Sequence, residues 1–367
     1  MALNVVEIWH DLHKTPELGF EENKTSAYLA EALEKLGYAV TRGVGKTGVM
    51  GVIRGAEHGP VLMLRADMDA LPFRNDDGSI EAVHACGHDS HCAMVLAAAS
   101  ELAGRVRRGT LKILFQPAEE GVRGAAGMAA SGILDDADYF LGAHIAMMCK
   151  SGEVSVNPYG FLCTTKLDVT YTGRPAHAGV EPNAGHNAMA AACNAFVQLL
   201  GIARHGSGMT RINVGQLVAG EGRNVIPSHA VMKMEVRGET GEINQYMYDS
   251  AVNIIKGCAL SQNCEYTIEK MGEAVDLTND PELVKVLTEA VGNVEGMTAR
   301  QDPMNFGGSE DATILARRVQ AHGGKAAFFV LGADRPSGHH TAKFDIDEKA
   351  LDKGLAVWAN AIKLILK

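Results

Sequence analysis

A continuous apolar run at residues 61–64 (Val-Leu-Met-Leu) constrains the fold of this chain more than any other feature of its sequence. An unbroken apolar run is typical of a strand that is buried on both faces, whereas a half-buried strand alternates apolar and polar residues. Similar runs at residues 111–115, 139–143 and 326–331 alternate with segments that favour helices, among them 91–102 and 349–366. Strands that alternate with helices predict an α/β fold built on a mostly parallel sheet.

The pattern changes near Thr164 and returns near Asp276. Between these points we predict shorter, alternating strands at residues 166–172, 211–218, 230–236 and 265–269, and helices at residues 187–203 and 243–260. The resulting order, βαββαβ, is that of a ferredoxin-like unit. We therefore expect residues 164–273 to form an inserted domain, and residues 1–163 with 274–367 to form the α/β domain.

The bulk composition excludes several classes of protein and partner. Of the 367 residues, 46% are hydrophobic and 21% are charged, which allows a large core, and no apolar run is long enough to span a membrane. The net charge of −10 argues against nucleic acids and anionic membranes as partners. The odd number of cysteines, 7, argues against a disulfide framework, and the first residues lack the basic start of a signal peptide. We expect a cytoplasmic protein.

Side chains suited to metal binding follow the predicted strands. Cys86 and His88 lie in a Cys-Gly-His-Asp segment, Glu119 and Glu120 follow the strand at 111–115, and His144 follows the strand at 139–143. Thiolate, imidazole and carboxylate together suit Zn²⁺ or Mn²⁺, and a catalytic site needs a second, unligated carboxylate to carry protons. Open α/β sheets place their sites at such strand ends. Asp67 and Asp69 end another strand, and Asp89 is placed to cap the helix at residues 91–102.

The motifs as a set resemble those of the dinuclear metallopeptidases of the aminoacylase and carboxypeptidase type. Within that family the chain is similar to the branch of indole-acetyl-amino-acid, hippurate and p-aminobenzoyl-glutamate hydrolases, most of all the last. The matching segments are residues 65–72, 84–89, 115–121, 142–144, 175–179, 223–227, 308–311 and 339–344. Two departures are a loop at 73–83 that is shorter than in p-aminobenzoyl-glutamate hydrolases, and Ala342 where many relatives have proline.

The resemblance implies two divalent ions per subunit, Mn²⁺ or Zn²⁺, and a role for each side chain near them. The implied ligands are Cys86, which bridges both ions, with His88, Glu120, His144 and His340. Glu119 is the expected general base, and Asp69 is expected to orient the ligands. His339 and His340 would point opposite ways on an extended chain, and the family places its ligand four residues before the aromatic Phe344, which selects His340. A structural role is expected for His91.

The resemblance also implies substrate contacts, several of them from the inserted domain. His177 would stabilise the oxyanion in the partner subunit's site, Asn224 would bind near the same carbonyl, and Arg237 would hold the substrate's α-carboxylate. Arg223 is our own candidate for a second carboxylate, while Gly308 and Ser309 would let the backbone approach the substrate. The inserted domain would dimerise and close over the substrate, giving a homodimer or a pair with a homologous second subunit.

These observations predict a metal-dependent amidohydrolase of N-acyl or N-aroyl amino acids, such as p-aminobenzoyl-glutamate. Two alternatives within the family are an N-acetyl-amino-acid deacetylase or indole-acetyl-amino-acid hydrolase, and a dipeptidase. An alternative from another class is a catalytically silent metal-binding subunit. The retention of Glu119 beside every expected ligand argues against that alternative.

Overall fold

The structure is a computed structural model that describes residues 2–366. It consists of two compact units, one formed by residues 2–160 with 277–366 and the other by Phe161–Asp276. Among the described residues, no helix is both long and apolar enough to span a membrane.

The elements are numbered in chain order. The strands are β1 (Ala39–Val44), β2 (Gly48–Arg54), β3 (Glu57–Asp67), β4 (Leu71–Arg74), β5 (Ile80–Val83), β6 (Arg108–Gln116), β7 (Tyr139–Ile145), β8 (Glu153–Ser155), β9 (Cys163–Thr172), β10 (Thr210–Ala219), β11 (His229–Gly238), β12 (Glu265–Ala274), β13 (Thr298–Arg300) and β14 (Lys325–Leu331). The helices are α1 (Val5–His13), α2 (Asn23–Lys35), α3 (His88–Leu102), α4 (Gly124–Ala130), α5 (Ala188–Leu200), α6 (Gly241–Ser261), α7 (Pro281–Gly292), α8 (Ala312–Ala321) and α9 (Lys349–Ile365).

The first unit is built on an eight-stranded sheet with the order β1-β2-β6-β3-β7-β14-β8-β13. Its four central strands, β6, β3, β7 and β14, run parallel, and antiparallel strands complete one edge. The mostly parallel α/β sheet predicted from the apolar runs is therefore confirmed. Leu62, Met63 and Leu64 are fully buried, as expected for a strand covered on both faces.

The register of the parallel strands brings their carboxyl ends to one edge of the sheet. Asp67 at the end of β3 pairs with Gln116 at the end of β6, and His144 near the end of β7 pairs with Val330 of β14. The segment after β6 and the end of β7 therefore meet at the edge where Asp67 lies. This is the edge at which open α/β sheets place their sites.

The second unit is a four-stranded antiparallel sheet with the order β10-β11-β9-β12. The chain order β9-α5-β10-β11-α6-β12 confirms the βαββαβ arrangement predicted from the sequence. Alternate strand residues, including Leu167, Val169 and Met232, form a buried core with residues of α5 and α6. The helices thus cover one face of this sheet.

Three local predictions differ from the structure. Strands β1, β2, β4 and β5 were not predicted, because short segments broken by glycine and charge lack a clear two-residue period. The loop at residues 73–83 contributes to the small β4–β5 sheet. The predicted cap at Asp89 is wrong: α3 begins at His88 after Gly87, whose positive φ of 91° suits glycine, and Asp89 lies in the first turn with an oxygen 2.6 Å from His13 Nδ1.

Two helix glycines should respond oppositely to substitution. A Cβ at Gly354 of α9 would lie 2.2 Å from the Met94 sulfur of α3, whereas a Cβ at Gly257 of α6 would meet nothing within 4 Å. We expect Gly354→Ala to cost about 1–3 kcal/mol through overpacking. Gly257→Ala is expected to add roughly 0.5–1 kcal/mol through helix propensity. Urea unfolding of both variants measures this, and equal effects would contradict the close α3–α9 packing.

Candidate active site

The five side chains expected to bind metal converge in the first unit. The Cys86 sulfur lies 3.5 Å from His144 Nε2 and 3.5 Å from His340 Nε2, and His340 Nε2 lies 3.5 Å from Glu120 Oε1. Ligand atoms within 4.8 Å of one another form two groups, Cys86–His88–His144 and Cys86–Glu120–His340. Cys86 is shared by both groups, as a bridging thiolate would be.

This donor set fits divalent ions. His88 Nε2 and Glu120 Oε1 are buried and have no hydrogen-bond partner among the described residues. An unpaired buried polar atom costs free energy, so these two atoms need a partner of another kind. Both belong to the groups defined above, and one thiolate with imidazoles and a carboxylate is the chemistry of a zinc or manganese site.

Asp69 holds three parts of the site together. One oxygen of its carboxylate accepts the backbone N–H of Glu119 and the other accepts that of Glu120, both at 3.0 Å. His88 donates its Nδ1–H to the Asp69 carbonyl at 3.0 Å, which directs Nε2 toward the metal site. Carboxylates and carbonyls behind a ligating histidine fix its tautomer and its ring. The geometry supports the orienting role expected of Asp69.

The two adjacent glutamates face different neighbours. The Glu120 carboxylate lies near His340 and His88, whereas Glu119 lies within 4.8 Å of Glu310 and Asp311. Burial raises the pKa of Glu119 well above its usual value, and the charges of Glu310 and Asp311 add to this. Divalent cations nearby would oppose that shift. One glutamate can therefore bind metal while the other remains available for proton transfer.

A buried charged cluster lies beside Glu119, and sequence reasoning assigned it no role beyond a supporting one for Asp67. The fully buried Arg65 donates to Asp67 at 3.0 Å, contacts Glu310 at 2.9 Å, and contacts Asp311 at 3.4 Å. Burial raises the pKa of Asp311 to about 8, since Arg65 offsets burial and the nearby Glu310 only in part. The signal in the sequence was charged residues inside two of the matched motifs, but their pairing spans the whole chain.

The remaining histidines divide into a ligand-like group and supports. His144 donates Nδ1–H to Ile145 O at 2.9 Å, and burial with the charges of His91 and His339 lowers its pKa, so it stays a neutral ligand with Nε2 toward Cys86. Burial acts to lower the pKa of His88, but Asp67 and Cys86 outweigh it and the pKa is raised. A proton on His88 therefore competes with metal for Nε2.

His91 and His339 take supporting positions. His91 Nδ1 lies 2.6 Å from Asp67, and His339 Nε2 donates to Ala146 O at 2.9 Å. The predicted extended conformation at His339–His340 is wrong: the pair lies in a turn, and His340 has a positive φ of 59°. His340 is nonetheless the member of the pair whose ring nitrogen lies beside Cys86.

Gly308 and Ser309 lie in a loop before α8. The preceding Gly307 has a positive φ of 68°, which favours glycine there, and the Ser309 hydroxyl is buried without a partner among the described residues. The ring of Phe306, in the same loop, lies 6.3 Å from the ring of His144. The loop therefore borders the metal site.

In the second unit, His177 and Asn224 lie in two exposed loops that pair with each other. The Ala178 N–H donates to Asn224 O at 2.9 Å, and His177 forms a β-bridge with Val225. His177 Nδ1 accepts the N–H groups of Gly179 and Val180, both at 3.1 Å, so the neutral ring carries its proton on Nε2 as a free donor. Arg223, the neighbour of Asn224, is exposed.

Arg237 lies far from these loops within the second unit. It is near the end of β11, and the loop containing Asn224 leads into the start of the same strand at His229. Eight residues of extended strand span roughly 26 Å. The structure therefore does not bring Arg237 together with His177 and Asn224 of the same chain.

Comparison with known proteins agrees with this site. The profile described as peptidase family M20/M25/M40 matches residues 63–364. A Haemophilus influenzae protein, a homolog of one subunit of p-aminobenzoyl-glutamate hydrolase, is 42% identical over 420 aligned residues, covering 100% of this chain and 99% of that protein. The alignment is longer than this chain, so that relative contains insertions.

Two solved structures are also similar. The aminobenzoyl-glutamate utilization protein of Klebsiella pneumoniae has a TM-score of 0.84 and 32% identity, covering 99% of this chain and 96% of that one. Bacillus subtilis YXEP, described as a dinuclear metal binding peptidase from the M20 family, has a TM-score of 0.73 and 25% identity, covering 98% and 97%. The family resemblance carried by the motifs is confirmed. With its profile match over most of the chain and a relative matched from end to end, this chain belongs to peptidase family M20/M25/M40.

Proposed function

We propose that this protein is a metal-dependent amidohydrolase that cleaves the amide between an acyl or aroyl group and an amino acid with a free carboxylate. The observation that carries the proposal is Glu119, a carboxylate outside both metal-binding groups that contain Cys86, which Asp69 holds next to the ligand Glu120. The names of the Haemophilus and Klebsiella proteins point to an aroyl-glutamate as substrate. All 7 cysteines are free, which supports a cytoplasmic location.

The expected ligands of two divalent ions are Cys86, His88, Glu120, His144 and His340. When bound, such ions would polarise the scissile carbonyl and make a nearby water more acidic. The thiolate favours zinc, while the imidazole and carboxylate groups also suit manganese.

The chain's own residues then perform the proton transfers. Glu119 would take a proton from the attacking water and deliver it to the leaving nitrogen. Its backbone is held by Asp69, so the carboxylate needs little reorganisation between the two transfers. Its neighbours Glu310 and Asp311 keep the site acidic and favour return of the proton to the nitrogen.

His177 and Asn224 would act on the carbonyl oxygen. The free Nε2–H of His177 is a donor suited to the negative charge that develops there. Arg237 would bind the α-carboxylate through its guanidinium. In one chain these groups lie a strand length apart, which supports a homodimer in which His177 and Asn224 come from one copy and Arg237 from the other.

Two other possibilities have specific support. An N-acetyl-amino-acid deacetylase, an indole-acetyl-amino-acid hydrolase or a dipeptidase would use the same groups with a different acyl pocket. The Haemophilus protein is named as the homolog of one subunit within a larger hydrolase, which raises a homologous second chain as partner. Without such a partner, this chain would be a silent metal binder.

The function is tested with metal-stripped protein to which Mn²⁺ or Zn²⁺ is added back. The substrates are p-aminobenzoyl-glutamate, an acetyl-amino-acid, an indole-acetyl conjugate and a dipeptide. Metal-restored cleavage that prefers the aroyl-glutamate supports the full proposal. Cleavage of only the other substrates keeps the mechanism and discards the aroyl-glutamate, and no cleavage by a chain that retains its metal supports the silent binder.

Cys86→Ala should remove the group shared by both metal-binding groups. We expect the metal content to fall by at least half, and most of the thermal stabilisation by added metal, about 2.7 kcal/mol at a hundred times Kd, to disappear. Elemental analysis and thermal unfolding measure this. The control is Cys149→Ala, a cysteine that is also buried in the first unit but lies outside the groups. Equal metal content in both variants would remove Cys86 from the ligand set.

Glu119→Gln should separate proton transfer from metal binding. The amide keeps the size of the side chain but cannot accept a proton, so we expect kcat to fall by about 10²–10⁴-fold. Metal content should stay at the wild-type value because Glu119 lies outside the groups that contain Cys86. Residual activity close to that of the wild type would exclude Glu119 as the base.

Arg223→Ala tests whether an exposed cation beside Asn224 receives a second carboxylate. We expect kcat/KM for p-aminobenzoyl-glutamate to fall by about tenfold, the value of one charge-assisted hydrogen bond, and kcat/KM for p-aminobenzoyl-glutamine to stay constant. Arg204→Ala, at another exposed arginine of the second unit, is the control. Equal losses on both substrates would remove Arg223 from the substrate site.

A further inference from the structure

The face of the four-stranded sheet that α5 and α6 do not cover is polar, and we call it the open face. Along β11, Met232, Met234 and Val236 are buried in the core formed with the helices. Because successive strand residues point to opposite faces, Lys233, Glu235 and Arg237 lie on the open face. This face therefore includes Arg237, the proposed carboxylate-binding residue.

Arg237 is already held by a carboxylate of its own strand. Its Nε lies 2.9 Å from Glu235 Oε1 and its Nη2 lies 3.2 Å from Glu235 Oε2. The pairing is bidentate, and both side chains are partly buried, with 31% and 26% exposed. A bidentate contact fixes the plane and direction of a guanidinium, which a single contact does not.

The pairing leaves part of the guanidinium available. Arginine has five N–H donors, one on Nε and two on each Nη. Glu235 engages Nε and one hydrogen of Nη2, so both hydrogens of Nη1 and the second hydrogen of Nη2 remain. These form the second edge of the guanidinium, which matches another carboxylate in the same bidentate geometry.

A second arginine makes the pairing necessary. Arg211 of β10 is the direct partner of Arg237 across the two strands, so both side chains lie on the open face. Like charges directly opposite repel, and among residues 2–366 Arg211 forms no ion pair with a carboxylate. Its Nη1 instead donates to Thr210 O at 2.8 Å. Without Glu235, Arg237 would face Arg211 with neither neutralisation nor a fixed orientation.

We infer that Glu235 is a positioning residue, which holds Arg237 by its Nε edge so that the opposite edge is presented to the substrate's α-carboxylate. The inference rests on the proposed function, in which Arg237 binds that carboxylate. It predicts that the loss of Glu235 weakens substrate binding, although it removes a negative charge from a site for an anion. A carboxylate that merely competed with substrate would have the opposite effect.

The test compares Glu235→Gln with wild type on p-aminobenzoyl-glutamate. We expect KM to rise about tenfold and kcat to stay within about twofold, because binding depends on the alignment of Arg237 and the proton transfers do not. The matched control is Asp168→Asn, which removes another carboxylate of the second unit, one that lies 3.4 Å from Lys233 rather than beside Arg237. A KM for Glu235→Gln that is unchanged or lower than wild type would overturn the inference.

A second substrate excludes a general structural effect. With the α-carboxamide analogue of p-aminobenzoyl-glutamate, Glu235→Gln and wild type should have equal kcat/KM, since no carboxylate is left for Arg237 to bind. A tenfold loss on this analogue as well would overturn the inference. If Glu235→Gln unfolds at a lower temperature than Asp168→Asn, Glu235→Asp replaces it; this variant keeps the charge but shortens the reach, and KM should still rise.

Arg237→Gln separates this inference from the proposed function. If Arg237→Gln raises KM while Glu235→Gln does not, the role of Arg237 stands and that of Glu235 fails. If Arg237→Gln leaves KM unchanged, the proposed carboxylate contact itself is wrong. If wild type cleaves none of the N-acyl amino acids, the proposed function fails before either variant is compared.

Discussion

The active site depends on the Asp69 carboxylate. It accepts two consecutive backbone N–H groups, those of Glu119 and Glu120, and the carbonyl of the same residue fixes the ring of His88. These contacts join the end of β3, the segment after β6 and the start of α3. Two neighbouring residues on a loop can thereby serve different purposes, one as a ligand and one as a base, because their shared backbone cannot rotate to exchange them. A ligand set without such an anchor would hold metal but would not fix the base.

Electrostatics explain why the same site needs cations. Arg65 is buried among Asp67, Glu310 and Asp311, and Glu119 lies beside them. One guanidinium cannot neutralise that many buried carboxylates, and the raised pKa values of Glu119 and Asp311 express the deficit. Divalent ions at the neighbouring groups supply the missing charge, so metal binding and the ionisation of the buried acids are linked. Folding the acids next to the metal site makes affinity for cations a property of the whole cluster.

The sequence was sufficient for the sheet, the βαββαβ unit and the side chains that surround Cys86, because apolar periodicity and short motifs are local signals. It was insufficient where the decisive contact is distant or conformational. Arg65 and Asp311 are separated by 246 residues, and no local pattern announces their pairing. The turn at His340 requires a positive φ that a histidine seldom adopts, so an extended chain was the reasonable prediction. The role of Glu235 depends on distances to Arg237 that spacing alone does not give.

The position of His340 has a consequence for biosynthesis. Four of the expected ligands lie between Cys86 and His144, but His340 follows 254 residues after Cys86 and lies on an exposed turn close to the last helix. A ribosome-bound chain would therefore present an incomplete set, able to retain one ion more readily than two, until almost the entire polypeptide has been made. Completion of the dinuclear centre thus coincides with completion of the chain, and a polypeptide truncated before α9 would be deprived of hydrolytic chemistry even if its first half had folded.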